Sequence, residues 1–199
     1  MKRTLAVLAA VAMLTASALA APVIGQPAPA FTGVTADGGT VDLAAYAGKT
    51  VVLEWTNNGC PYVKKHYGAG NMQQTQAAAA ADGVVWLTII SSAEGKQGYA
   101  TPDEAKAIAA AAKAAPAAIV LDASGEIGRA YDARTTPHMF VIDGAGTLVY
   151  AGAIDDKPTA DAADIPGATN YVLAALEDVK NGRPVATPES EPYGCSVKY

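Results

Sequence analysis

Two cysteines are the only thiols in this 199-residue chain, and the first, Cys60, has the setting of a reactive one. It follows Thr50-Val51-Val52-Leu53-Glu54-Trp55, a β-branched and apolar run that predicts a buried parallel strand, and then the turn Asn57-Asn58-Gly59. Pro61 comes directly after it, and proline is favoured in the first turn of a helix. Cys60 therefore falls where a strand hands over to a helix N-terminus. Unpaired backbone N–H groups and the helix dipole favour an anion there. A cysteine in that place has a lowered pKa, and its thiolate is the nucleophile of disulfide exchange. Lys64 and Lys65, one turn on, add positive charge. The competing reading is a small buried hydrophobe, the usual state of a free cysteine.

Cys195 stands 135 residues further on, in a Pro-rich tail of residues 182–199. In an oxidising compartment, a single bridge is the simplest pairing of two cysteines. The sequence leaves three readings open. A structural bridge closing so long a loop would contribute about 4–5 kcal/mol in the chain-entropy model. A functional bridge would make Cys195 the resolving thiol for Cys60, carried on a mobile tail. In the third reading the two cysteines never pair.

His66 and His138 are the only histidines. Both read first as hydrogen-bonded surface or core residues. Thiolate, imidazole and thioether also suit copper, and Cys60, His138, Met139 and Cys195 form a conceivable set. Glu54 is an odd carboxylate in an apolar strand. Buried, it could take protons during disulfide exchange; the reading preferred here has it facing solvent at the strand end. Asp122, Asp143, Asp155 and Asp156 read as ordinary loop acids. The sequence contains no phosphate loop, no Ser/His/Asp spacing and no zinc-ligand cluster, and calls for no cofactor.

The elements that must position these residues follow from the pattern. Val34 to Leu43 reads as a hairpin turning at Asp37-Gly38-Gly39. A helix is expected from about Pro61 to Ala81, kinked at Gly68 to Gly70. Val84 to Ile90 is a second buried strand. Thr101-Pro102-Asp103-Glu104 has the layout of a capped helix start, and that helix runs to about Ala115. Ile119 to Leu121 is a strand and Gly125 to Tyr131 a short helix. His138 to Asp143 and Thr147 to Ala153 form a hairpin, and Gly167 to Asn181 is the last helix. This order implies an α/β fold: a mixed sheet with helices on both faces. No linker interrupts it, so residues 21–199 are expected to form one domain.

Composition narrows the function. The chain is 51% hydrophobic and 17% charged, outside the range of a disordered chain. Its net charge of −5 argues against a nucleic-acid partner. Residues 1–20 begin with Lys2 and Arg3, continue with the apolar run Leu5 to Leu14 and end in Ala18-Leu19-Ala20. That is the layout of a secretory signal peptide. Its removal takes away two basic residues and no acid, so the net charge moves from −5 to −7. No later segment is long and apolar enough to span a membrane. The expected location is periplasmic or secreted, where a disulfide can persist.

The stretches Ile24 to Phe31, Asp37 to Leu43, Gly48-Lys49 and Val51 to Trp55, with Thr136-Pro137 ahead of His138 to Asp143, resemble the redoxin group. This is the peroxiredoxin-like, alkyl hydroperoxide reductase/thiol-specific antioxidant branch of the thioredoxin superfamily. The resemblance spans about residues 23–180. It implies a thioredoxin-like fold, a cis-proline loop at Pro137, and thiol-dependent oxidoreductase activity of the antioxidant type. One departure matters. Thioredoxins carry a second cysteine three positions after the first, where this chain has Val63. In peroxiredoxins the peroxide-attacking cysteine aligns with that same position. The peroxidatic pattern is therefore absent, and the oxidoreductase reading takes Cys60 as the attacking thiol with Cys195 as the possible resolving partner. Thr136 and Pro137 would flank the sulfur, and the backbone at 136 would hydrogen-bond an extended peptide. The partner would be a protein thiol or disulfide, or a peroxide. The alternative is a non-enzymatic binding module, copper-carrying in one version, with a structural Cys60–Cys195 disulfide. The oligomeric state is not readable from the sequence.

Overall fold

Val51, Leu53 and Trp55 point to one face of strand β3 (Val51–Trp55), and Val52 and Glu54 to the other; all five are buried. Both faces are covered because β3 lies inside the sheet, parallel to β4 (Val85–Ile90) on one side and antiparallel to β7 (His138–Ile142) on the other. The structure, a computed structural model, describes residues 21–199. The expected signal peptide at residues 1–20 lies outside the described residues.

Beyond β4 lie β5 (Ala118–Leu121), β1 (Thr32–Thr35) and β2 (Thr40–Asp42), and beyond β7 lies β8 (Leu148–Gly152). The seven-stranded mixed sheet has the order β2-β1-β5-β4-β3-β7-β8. The α/β class with helices on both faces, read from the alternating pattern, is what the structure has. One face carries Trp55, Leu87, Ile89, Val120 and Phe140 against Ile127 of the short helix α4 (Glu126–Ala130). Trp55, Tyr131 and Phe140 meet there ring against ring, at centroid separations of 5.1–5.4 Å. The opposite face carries Val52, Trp86, Met139 and Val141 against α2 (Asn71–Ala81) and α5 (Tyr171–Lys180).

The helix expected over 61–81 is two helices, α1 (Pro61–Gly68) and α2. They break at Gly70, which adopts a left-handed φ of 77° just before α2. Helix α3 (Pro102–Ala111) starts as its sequence predicts. The Thr101 side chain accepts from the Glu104 backbone, and the Glu104 carboxylate accepts from Thr101 in return. It ends four residues before the expected Ala115.

Two short strands lie outside the main sheet. β6 (Thr135–Thr136) pairs antiparallel with β9 (Cys195–Ser196). The tail that reads as Pro-rich and irregular thus ends in a strand.

Candidate active site

Cys60 occupies the N-cap position of α1, with extended backbone and Pro61 following it. Its turn is fixed from within. The Asn57 side chain accepts from Gly59 N at 2.8 Å and donates to Gln97 O at 3.1 Å, while Cys60 N donates to Asn57 O at 3.0 Å. The Cys60 side chain has 0% exposure. As a thiol it donates from Sγ to the Thr136 carbonyl at 3.0 Å. The Thr136–Pro137 peptide is cis. Cys60, Thr136 and Pro137, expected together, do sit together.

Cys195 reaches them. In β9 it is the register partner of Thr136, and Thr136 Oγ1 donates to its carbonyl at 3.4 Å. Gly194 makes the approach possible. It has φ of 139°, and a Cβ there would stand 2.1 Å from the Thr136 oxygen. Only a residue without a side chain brings the strand this close.

Residues 193–199, which carry β9, form a strap across the Cys60 turn, and two tyrosines fasten it on either side of Cys195. Tyr193 lies against α1, its ring 5.8 Å from that of Tyr62 and 5.6 Å from Lys65 Nζ. Asn71 Nδ2 donates to His66 Nδ1 at 2.8 Å. That leaves His66 Nε2 to donate to Tyr193 Oη at 3.1 Å, and Tyr193 donates to Asp155. Beyond Cys195, Tyr199 donates to Ala133 O at 2.7 Å beneath the Arg129 guanidinium. Val197 N donates to Arg134 O, and Ala93 N to Lys198 O.

The two sulfurs share one electrostatic problem. Burial pushes the Cys60 thiol up. Hydrogen bonds to its sulfur from the Cys195 side chain, the Val63 and Cys195 backbones and Thr136 outweigh this, so its pKa lies below the ordinary value. Cys195 moves oppositely. Burial, its hydrogen bond to Cys60 and the charge of Cys60 push it up to about 11, against a lesser pull from Lys198. The opposite shifts make Cys60 the more acidic of the two thiols.

A Redoxin family model matches residues 24–171. The chain belongs to the Redoxin family. No curated protein matches the sequence. Among solved structures, an uncharacterized conserved protein from Geobacillus kaustophilus is 26% identical with a TM-score of 0.74, over 89% of this chain and 92% of that one. A hypothetical protein from Sinorhizobium meliloti is 24% identical with the same TM-score, over 90% and 96%. The thioredoxin domain of a thiol-disulfide oxidoreductase from Bacteroides vulgatus is 23% identical, over 65% and 87%, with a TM-score of 0.52. These likenesses show a thioredoxin-like fold.

Other side chains of this redoxin depart from expectation. Glu54 does not face solvent: its exposure is 0%. It accepts from Tyr67 Oη at 2.8 Å, Trp86 Nε1 at 2.8 Å, Thr88 Oγ1 at 3.1 Å and Gln76 Nε2 at 3.3 Å. Burial raises its pKa against the pull of these four donors. Asp122 and Asp155 are not ordinary loop acids, since both are buried. Asp122 accepts from Ser91 Oγ at 2.6 Å and from the Gly128 backbone at 2.9 Å, at the start of α4. His138 and Met139 point to opposite faces of β7, into the clusters around Phe140 and Val52 respectively. The four residues weighed as a copper set therefore do not converge, and among the described residues no three His, Cys, Asp or Glu side chains form a metal-binding group. Tyr193, packed on α1 and bonded to His66 and Asp155, is the side chain at this site that sequence reasoning missed. The aromatic two residues before Cys195 was its only signal.

Proposed function

We propose that this chain is an extracytoplasmic thiol–disulfide oxidoreductase whose redox pair is Cys60 and Cys195. The observation that carries the reading is the β6–β9 pairing. It sets Cys195 opposite Thr136 while Cys60 bonds the carbonyl of that same residue. β6 and β9 form a separate two-stranded sheet, so closing a bridge needs no rearrangement of the main sheet.

In the exchange, the Cys60–Cys195 disulfide takes two electrons from two partner thiols. The partner leaves as a disulfide, and the pair becomes two thiol groups, one of them ionised at Cys60. The helix N-terminus and the hydrogen bonds to Cys60 hold that negative charge. The signal-peptide layout of residues 1–20 supports an extracytoplasmic place, where such a pair is not held permanently reduced. Residues 21–199 act as one redoxin domain, with the tail 182–199 as the arm that supplies the second sulfur. Val63 at the family's peroxidatic position leaves peroxide outside the main reading.

Cys60→Ser and Cys195→Ser, each in the full chain, test it with a peptide dithiol whose oxidation is followed by fluorescence. Each variant should lose at least 100-fold in rate. Full activity in either would refute the assignment.

A further inference from the structure

We propose that external thiols meet this pair at Cys195 and not at Cys60, that they do so while β9 stays docked, and that they are low-molecular-weight anionic thiols. This rests on the redox pair proposed above and reverses the order that a cysteine at a helix N-terminus suggests. Cys60 has 0% exposure, whereas Cys195 is only part-buried and the next residue, Ser196, is exposed. The strap over Cys60 is held on both sides, by Tyr193 against His66 and Asp155 and by Tyr199 against Ala133. Uncovering Cys60 means breaking those bonds and the β6–β9 pairing. Attack at Cys195 requires none of this.

The same geometry selects the size and charge of the thiol. The edge of β6, where an extended polypeptide would pair, is already filled by the chain's own β9. A polypeptide must displace β9; a small thiol need not. The Lys198 ammonium, bonded to Ser196 Oγ at 2.9 Å, places positive charge beside Cys195, which favours an anionic molecule.

In the first step a thiolate attacks Cys195 Sγ of the closed disulfide. The Cys60–Cys195 bond breaks, and its electron pair leaves on Cys60, the better leaving group because its thiolate is stabilised. A mixed disulfide between Cys195 and the small thiol remains. A second thiolate attacks the small-molecule sulfur of that bond and leaves as the symmetrical disulfide. Cys195 departs as thiolate and takes a proton from solvent. Two thiols are oxidised and one protein disulfide is reduced.

The test uses the oxidised full-length mature protein, whose Cys60–Cys195 bridge is first verified by mass. It is mixed briefly with excess glutathione, quenched with N-ethylmaleimide and mapped by peptide mass. The expected product carries glutathione on Cys195 and maleimide on Cys60, at least tenfold in excess over the opposite isomer. Equal isomers, or glutathione on Cys60, would overturn the proposal while leaving the redox pair intact. A reduced, unfolded polypeptide at equal thiol concentration should react at least tenfold more slowly than glutathione. A rate equal to or above that of glutathione would overturn the substrate class. Failure to form the bridge at all, seen before any thiol is added, would remove the redox-pair reading and this inference with it.

Discussion

The two halves of the site are held in different ways. Cys60 belongs to the β3–α1 turn. Behind it stands a strand buried on both faces and paired on both edges. Cys195 belongs to a two-residue strand that pairs on one edge with another two-residue strand. Its position depends on Gly194 and on two tyrosine anchors. Losing the first half means unfolding the sheet, whereas the second can be detached by breaking a handful of bonds. Local openings with so different a cost are the ordinary hierarchy of native-state stability. The redox pair proposed for this chain spans that boundary, with one fixed sulfur and one that a single substitution can take away.

Gly194→Ala should have the largest effect on this asymmetry. The new Cβ would meet backbone atoms of Thr136 at 2.1 and 2.8 Å, and neither can move without disturbing the loop beneath Cys60. β9 should detach while the main sheet survives. Cys60 in the reduced variant should then be alkylated by iodoacetamide at least 100-fold faster than in the parent, at nearly unchanged far-UV circular dichroism. An unchanged alkylation rate would mean that the strap does not cover Cys60.

Tyr193→Phe is a milder break. It removes the hydroxyl between His66 and Asp155 and leaves those two buried groups short of a partner, a cost of about 1–3 kcal/mol. The ring contact with Tyr62 survives. Cys60 alkylation should rise about tenfold, well short of the Gly194→Ala effect. If the two variants match, the ring and the glycine contribute nothing beyond the hydroxyl.

A pH series sharpens the comparison further. Burial holds His66 at about 4, and burial with the Arg134 charge holds His138 at about 3. Both lie below the unfolded value of about 6.5. Between those limits the unfolded chain binds more protons than the native one, so stability rises with pH and falls on acidification from 6.5 towards 4. Glu54, with its raised pKa, contributes with the opposite sign. Its share is present at acid pH and declines as pH climbs through its native value. The melting temperature should drop on acidification, with a shallower slope in His66→Gln. A slope unchanged by that substitution would contradict a neutral His66 in the strap anchor.

Arg134→Ala should matter least. Its ion pairs to Glu191 at 3.6 Å and Asp132 at 3.9 Å join exposed side chains, a class worth under about 1 kcal/mol. Thermal melting should shift by no more than a few degrees. A larger loss would mean that the strap is fastened by surface charge.

The same contrast explains what was legible in the sequence. The β3–α1 turn announces itself by an apolar run, a turn and a proline, and the α3 start by Thr101 and Glu104, because regular elements carry period and punctuation. The strap has neither. A two-residue strand is shorter than any hydrophobic period, and a tyrosine two residues from a cysteine predicts no partner on a helix 127 residues away in the chain. Glu54 reads as strand-end and solvent-facing because alternation reports which face a side chain takes but not how deeply that face is covered. Asp155 and Asp122 read as loop acids because their burial comes from the strap and from α4 folding over them.

The most direct test of the account is a redox titration of residues 21–199 in glutathione buffers, with thiols trapped and counted by mass. A Cys60–Cys195 bridge that opens near −200 mV, in the range of working exchange proteins, is the predicted result. A bridge that stays closed below about −300 mV would make the pair a structural staple and contradict the assignment of Cys60 and Cys195 as a redox site.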